Sequence, residues 1–346
     1  MSSNGRHAHE AGARGVAVVT GASAGVGRAV AVELAREGFD VGLVARGRAG
    51  LDAAARDVQA LGRRGLPLAA DVSRFEEVKA AAQRAEAELG PVDVWVNDAM
   101  TTIFAPFSDV DPDDFRRAVE VTFLGQVWGT KVALDAMVPR DHGTIVNVGS
   151  ALAFVGIPLQ SAYCSSKFAC RGFFESVRAE LVHQHSQVRL CMVHLPGVNT
   201  TQFNWCKSVF RTHPQPVPPI YQPEVAARAI VASALDGRRS RVLGAWNQFL
   251  VALASLFPGL ATQYAAIGAW DAQLTDQPVP PDRPANLWEP VDEHEDKGAH
   301  GIFDREARGM LSPQFLESLP STARRFGIAV ARTAKEKADR KVGAGR

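Results

Sequence analysis

The chain has no surplus of charge of either sign: 38 Lys and Arg stand against 37 Asp and Glu in 346 residues, a formal net charge of +1. Bulk nucleic-acid binding usually needs a basic surplus, so a small-molecule partner is expected and no nucleic acid. Paired cysteines are missing too. Cys164, Cys170, Cys191 and Cys206 make no Cys-x-x-Cys, and cysteines scattered through predicted helix and strand behave as small hydrophobes suited to a reducing, cytoplasmic setting. No apolar run reaches the ~20 residues of a membrane span. Phe249 to Phe257 is nearly all apolar, but Pro258-Gly259 interrupts it before Leu260 to Ile267. Residues 1–14 lack the apolar core of a signal peptide and read as a disordered tail.

What is present is a strand, a glycine turn and a helix in succession. The β-branched run Val16 to Val19 leads into Thr20-Gly21-Ala22-Ser23-Ala24-Gly25-Val26-Gly27, and Arg28 to Glu37 follows with Val30 and Leu34 on one side. Such a turn aims unpaired N–H groups and the positive end of a helix dipole at one point, which suits a pyrophosphate. A tight turn without a ligand is the plainer alternative. A Walker loop is excluded, because Arg28 stands where Lys and then Ser or Thr would be needed.

The second strand, Asp40 to Ala45, has no carboxylate at its end; Arg46 stands there, with Arg48 close behind. In dinucleotide folds an acidic residue here binds the ribose 2′-hydroxyl, whereas Arg accommodates a 2′-phosphate. NADP(H) is therefore favoured over NAD(H), against the plainer reading of a surface Arg. Leu66 to Asp71 is a third strand, and Ser73-Arg-Phe-Glu76 has capping-box spacing before an Ala-rich helix to Leu89. Val92 to Asn97 is a fourth. Asp71 and Asn97 fall at strand ends on the nucleotide side, while Asp111-Pro112 caps a helical stretch through about Val138.

Tyr163 and Lys167 stand at i and i+4 in a predicted helix from Ser161 to His183, so a phenol lies beside an ammonium on one face. A nearby positive charge favours the phenolate and lowers the Tyr pKa from its ordinary ~10, which would make Tyr163 a general acid or base. Ser150 closes the buried run Thr144 to Ser150 where ligands bind in an open α/β sheet. By itself Tyr-x-x-x-Lys is more often an amphipathic edge than a catalyst; with the glycine turn it carries weight.

Together these motifs resemble the short-chain dehydrogenase/reductase family, in its compact Thr-Gly-x-x-x-Gly-x-Gly branch. The resemblance covers roughly residues 15–244 and rests on Gly21, Gly25 and Gly27, Arg46, Asp71-Val72, Asn97-Asp98-Ala99, Ser150, Tyr163 with Lys167, and Pro196-Gly197-Val198-Asn199-Thr200. It implies a doubly wound parallel sheet with helices on both faces. It also implies that Ser150 orients a carbonyl, Tyr163 exchanges its proton, Lys167 lowers the Tyr pKa and binds the nicotinamide ribose, and Thr200 with Pro196-Gly197 holds the carboxamide. Ser23, Val26, Val72, Ala99 and Val198 fall at nucleotide-lining positions of the same motifs. Two departures stand out: Asn97-Asp98-Ala99-Met100 where the family usually has Asn-Asn-Ala-Gly, and Thr122 where it has the Asn that holds a water beside the Lys.

The expected organisation is a tail at 1–14, a catalytic domain at 15–245 and an extension at 246–346. Phe203, Trp205, Phe210 and the segment Pro214 to Tyr221 are expected over the site, favouring a substrate with an apolar body; a connector packed by its aromatics is the alternative. Residues 249–267 read first as a dimer contact or lid, and second, with the basic C-terminus, as peripheral membrane contact. A homo-oligomer is expected. Beyond Gln273 the composition shifts to Pro, Asp and Glu. His294 and His300 among Asp292, Glu293, Glu295 and Asp296 read as a solvated charge run rather than a metal site. The activity implied is hydride transfer between NADP(H) and a carbonyl or secondary alcohol, an acyl-chain or steroid type of substrate being one variant. The alternative in another class is a non-catalytic nucleotide sensor or scaffold.

Overall fold

Strands buried on both faces need near-continuous apolar runs, and the chain supplies them. In a computed structural model, which describes residues 13–280 and 282–307, β1 (Gly15–Thr20) and β5 (Thr144–Ser150) are buried along their whole length. With β2 (Phe39–Ala45), β3 (Gly65–Ala69), β4 (Val92–Asn97), β6 (Arg189–Leu195) and β7 (Ser240–Val242) they form one sheet in the order β7-β6-β5-β4-β1-β2-β3. Every neighbouring pair is parallel. The order reverses between β1 and β4, so the crevice beyond their carboxyl ends is where a doubly wound sheet binds ligands.

The longer helices among the described residues are α1 (Gly25–Arg36), α2 (Arg48–Gln59), α3 (Phe75–Leu89), α4 (Pro112–Val119), α5 (Gly125–Met137), α6 (Ser161–His183), α7 (Pro223–Asp236), α8 (Ala245–Leu256) and α9 (Pro258–Gly268). Alternation along β1 sends Ala17 and Val19 to one core with Leu34, Leu51 and Ile230, and Val16 and Val18 to the other with Val78, Met137 and Phe174. Each fully buried Leu or Ile of this kind stabilises the fold by about 1.5–3 kcal/mol. The parallel sheet is thus sandwiched as expected, α1, α2 and α7 on one face and α3, α5 and α6 on the other.

Three local expectations are corrected. Helix α1 starts at Gly25 rather than Arg28, because Gly25 at φ +57° turns the chain directly from loop into helix. Ser73 caps nothing: α3 begins at Phe75 behind Arg74, and the Ser73 hydroxyl is held instead by Asp71 at 2.8 Å and Arg117 at 2.6 Å. The long helix through Val138 is present, capped by Asp111 and opened by Pro112, but a π-turn over Glu120–Leu124 divides it into α4 and α5. Such a widened turn commonly marks a functional position.

The acidic run of the extension is solvated at His294 and Glu295, as expected, but docked at Asp292, Glu293 and Asp296. Asp296 pairs with Arg28, which also holds Asp57, so arm, α1 and α2 share one buried guanidinium. His300 bridges Glu224 at 2.7 Å and Asp304 at 3.0 Å, and burial, opposed by those two carboxylates, leaves its pKa raised. The basic segment beyond residue 307 lies outside the described residues.

Candidate active site

The glycine turn forms a cradle at the carboxyl end of β1. Gly21 has φ +73°, and a side chain there would stand 2.9 Å from the Ala99 backbone. A methyl group at Gly27 would strike the Gly21 carbonyl, so this third glycine lets α1 pack against the turn. No acidic side chain occupies the first turn of α1, leaving its N-terminus suited to an anion. Gly21, Ser23, Gly25, Val26, Arg46, Asp71, Val72 and Ala99 line one cleft, continuous with Pro196, Gly197, Val198 and Thr200. A nicotinamide dinucleotide fits this cradle: a small-residue floor, a helix N-terminus and a wall that carries Arg46.

Ser150, Tyr163 and Lys167 meet at the far end of the same cleft. Ser150 ends β5 and accepts the Leu152 N–H at 3.1 Å. Below it, His194 from β6 faces the Ser150 carbonyl at 3.2 Å. Burial drops the His194 pKa to about 4, so near neutrality it is uncharged and its Nδ1–H serves as a strut for the end of β5. Lys167 is buried and donates to the Val148 carbonyl at 2.7 Å, with Nζ 5.6 Å from the Tyr163 ring centroid. Burial lowers its pKa.

The expected depression of the Tyr163 pKa is corrected. Burial pushes it well above the ordinary phenol value, and the hydrogen bond with Ser150 only partly opposes this. In this cleft desolvation sets the direction of the shift. The phenol is protonated across neutral pH.

Asn97 does not line the cleft. It is fully buried, accepting from Trp95 Nε1 at 2.8 Å and donating to Asn147 at 2.9 Å and Thr130 at 3.1 Å. Its neighbour Asp98 lines the cleft instead. Burial raises that carboxyl to about 7, against the opposing pull of Lys167 and the Gly27 N–H. The sequence signal for this was the departure Asn97-Asp98 itself. Thr122, inside the π-turn, donates its only hydroxyl proton to the Thr101 carbonyl at 2.8 Å and accepts the Thr101 N–H at 3.0 Å. That hydroxyl therefore ties the loop at Thr101 to the π-turn rather than offering a proton to a water beside Lys167.

A family model described as short chain dehydrogenase matches residues 15–208. The chain belongs to the short-chain dehydrogenase family. It is 30% identical over 276 residues to an uncharacterized oxidoreductase, YxnA, of Bacillus subtilis, covering 79% of this chain and 78% of that one. It is also 30% identical over 244 residues to 3-dehydrosphinganine reductase of Danio rerio, covering 68% and 73%. Among solved structures it resembles an alcohol dehydrogenase from the archaeon Thermococcus sibiricus complexed with 5-hydroxy-NADP, with 27% identity, a TM-score of 0.57, and 66% of this chain against 94% of that one. A metagenomic short-chain oxidoreductase in complex with NADP gives 28% identity, a TM-score of 0.56, and coverages of 67% and 96%.

As a short-chain dehydrogenase the chain is an oxidoreductase with a nucleotide cleft, and its particular features lie at the two ends of that cleft. At the adenosine end, Asp71 is held by Arg117 at 2.5 Å; that hydrogen bond leads the interactions that keep its carboxyl below the usual range against the cost of burial. Arg117 stacks over Trp288 of the extension at 5.5 Å. Neither was read from sequence, because nothing local to α4 announces a partner in β3 or in residue 288. At the substrate end, Leu152, Ile157, Trp205, Val217, Leu250, Leu253 and Tyr264 present mostly apolar surface. The helical pair α8–α9 therefore roofs the site with one side, while Phe249, Leu256, Phe257 and Leu260 on the other are exposed. No residue from Leu243 to Trp270 is Asp, Glu, Lys or Arg.

Proposed function

We propose that this short-chain dehydrogenase is an NADP(H)-dependent reductase of ketones or aldehydes carrying an apolar body, working reversibly on the corresponding alcohols. The observation that carries the reading is the convergence of Ser150, Tyr163 and Lys167 at the end of the glycine-cradled cleft. The cofactor, when bound, supplies or accepts the hydride. The chain's own task is the proton: the buried, protonated Tyr163 hydroxyl donates to the substrate oxygen while Ser150 supports its developing charge. Lys167, anchored on Val148, remains available to a ribose hydroxyl. Arg46 at the end of β2 and the absence of a carboxylate on that strand end support the 2′-phosphate, as does the NADP named for the two solved relatives.

The apolar roof from α8 and α9 supports a bulky apolar substrate over a sugar or polyol. Its uncharged outer face supports peripheral contact with an apolar or lipid surface, and the four buried, unpaired thiols support a reducing cytoplasm.

Tyr163→Phe is expected to lower turnover by ~10² or more, with nucleotide affinity retained by direct titration. Equal turnover in the two proteins takes Tyr163 out of the chemistry. Thr122, its proton committed to Thr101, favours a second reading, nucleotide binding without turnover. NADPH oxidation against ketones and aldehydes graded by apolar bulk separates the two, since tight binding with no turnover across the panel supports the second.

A further inference from the structure

The C-terminal arm returns to the adenosine end of the cleft and is fastened there by its backbone. Asn286 N–H donates to the Trp205 carbonyl at 2.9 Å. Both terminal nitrogens of Arg46 are engaged by arm carbonyls, Nη1 by Trp288 at 2.6 Å and Nη2 by Asn286. Helix α2 has no side-chain cap of its own. Its first three N–H groups, which a helix leaves unpaired, are met by the arm: Arg48 by the Glu293 carboxylate at 3.0 Å, Ala49 by the Glu293 carbonyl at 3.2 Å, Gly50 by the Asp292 carbonyl at 3.1 Å.

This anchoring drives the Asp292 carboxylate into the corner where β2 turns into α2. A methyl group on Gly47 or Gly50 would collide with it, and one on Gly50 would also stand 2.9 Å from Ser23 Cβ. Asp292 is only 6% exposed, and its Oδ2 has no hydrogen-bond partner. A desolvated carboxylate oxygen without a donor is costly. The corner is the one an adenosine ribose occupies in this fold, next to the strand-end residue that reads its 2′ position.

We infer that Asp292 is a specificity-determining residue of the nucleotide site, opposed to Arg46: its carboxylate accepts a hydroxyl of the adenosine ribose and repels a 2′-phosphate in the same corner. The inference rests on the reading that this cleft holds a nicotinamide dinucleotide. It assigns to the arm a role that a short-chain dehydrogenase would otherwise leave to the end of β2. The nucleotide preference of the whole chain becomes a contest between one cation from that strand and one anion from the arm. A 2′-phosphate must also win the Arg46 fork from the carbonyls of Asn286 and Trp288.

The test is equilibrium titration of the full chain with NADPH and with NADH, in wild type, Asp292→Asn, Asp292→Ala and Arg46→Ala. Loss of the Asp292 charge is expected to tighten NADPH by about tenfold or more relative to NADH, and Arg46→Ala to move the ratio the other way. A ratio of the two dissociation constants within about twofold of wild type in both Asp292 variants overturns the inference while leaving the dinucleotide reading intact. Cooperative melting is measured alongside; variants that no longer melt cooperatively show the carboxylate to be structural, which also overturns it. Binding of neither nucleotide by wild type removes the dinucleotide reading and this inference together.

Discussion

Asp98 is the residue at which the cleft and stability are most directly linked. Its folded pKa of about 7 lies above the ordinary carboxyl value of 3.8, so between those two pH values the native protein holds a proton that the unfolded chain releases. Stability from this group therefore falls as pH rises from about 4 to about 7, and the full penalty persists above that. Asn is the residue the family usually carries here, and its amide oxygen can still accept the Gly27 N–H. Asp98→Asn is expected to melt higher than wild type by an amount that grows from pH 5 to pH 8, on the order of 2 kcal/mol at the upper end. Melting curves of the nucleotide-free proteins that stay parallel over that range would contradict the assignment. Tyr163 has the same physics in another group: burial disfavours its charged form. Under the proposed function, its raised pKa predicts that carbonyl reduction stays flat with pH across the neutral range, while alcohol oxidation, with the phenolate as base, rises with pH. Steady-state profiles in both directions check this.

Among the elements, α8 and α9 carry the substrate argument. Their Leu250, Leu253 and Tyr264 face the cleft, and each buried CH₂ of a substrate against such a surface is worth about 0.8 kcal/mol. Leu253→Gln is expected to raise KM for long apolar ketones by about tenfold or more while sparing the smallest. A uniform change across a graded panel would place the helix outside the substrate pocket. The apolar run was plain in the sequence, and a lid was among its readings. Which side faced the site was not, because a run without polar residues has no face until something packs against it. The π-turn was also hidden, since an inserted backbone register leaves no mark in the spacing of Val119 to Gly125.

At the scale of the molecule, two cores on either side of one sheet hold the strand ends that line the cleft in register. Ile230 of α7 is fully buried in the core beneath α1 and β1, so Ile230→Ala is expected to cost about 2–5 kcal/mol of global stability. Its denaturant midpoint should drop without a change in the nucleotide affinity ratio. The sequence by itself determined the doubly wound sheet, the glycine cradle and the Ser150, Tyr163, Lys167 constellation. Each of these depends on short-range spacing that local physics converts directly into structure: three glycines after a strand, and two side chains four residues apart on a helix. Only the tertiary structure decided that Asn97 is a strut while Asp98 faces the cleft, that burial dominates at the phenol, and that the arm brings Asp292 to the turn between β2 and α2. Those outcomes depend on desolvation and on contacts between segments hundreds of residues apart, and neither is a property of any short stretch of chain.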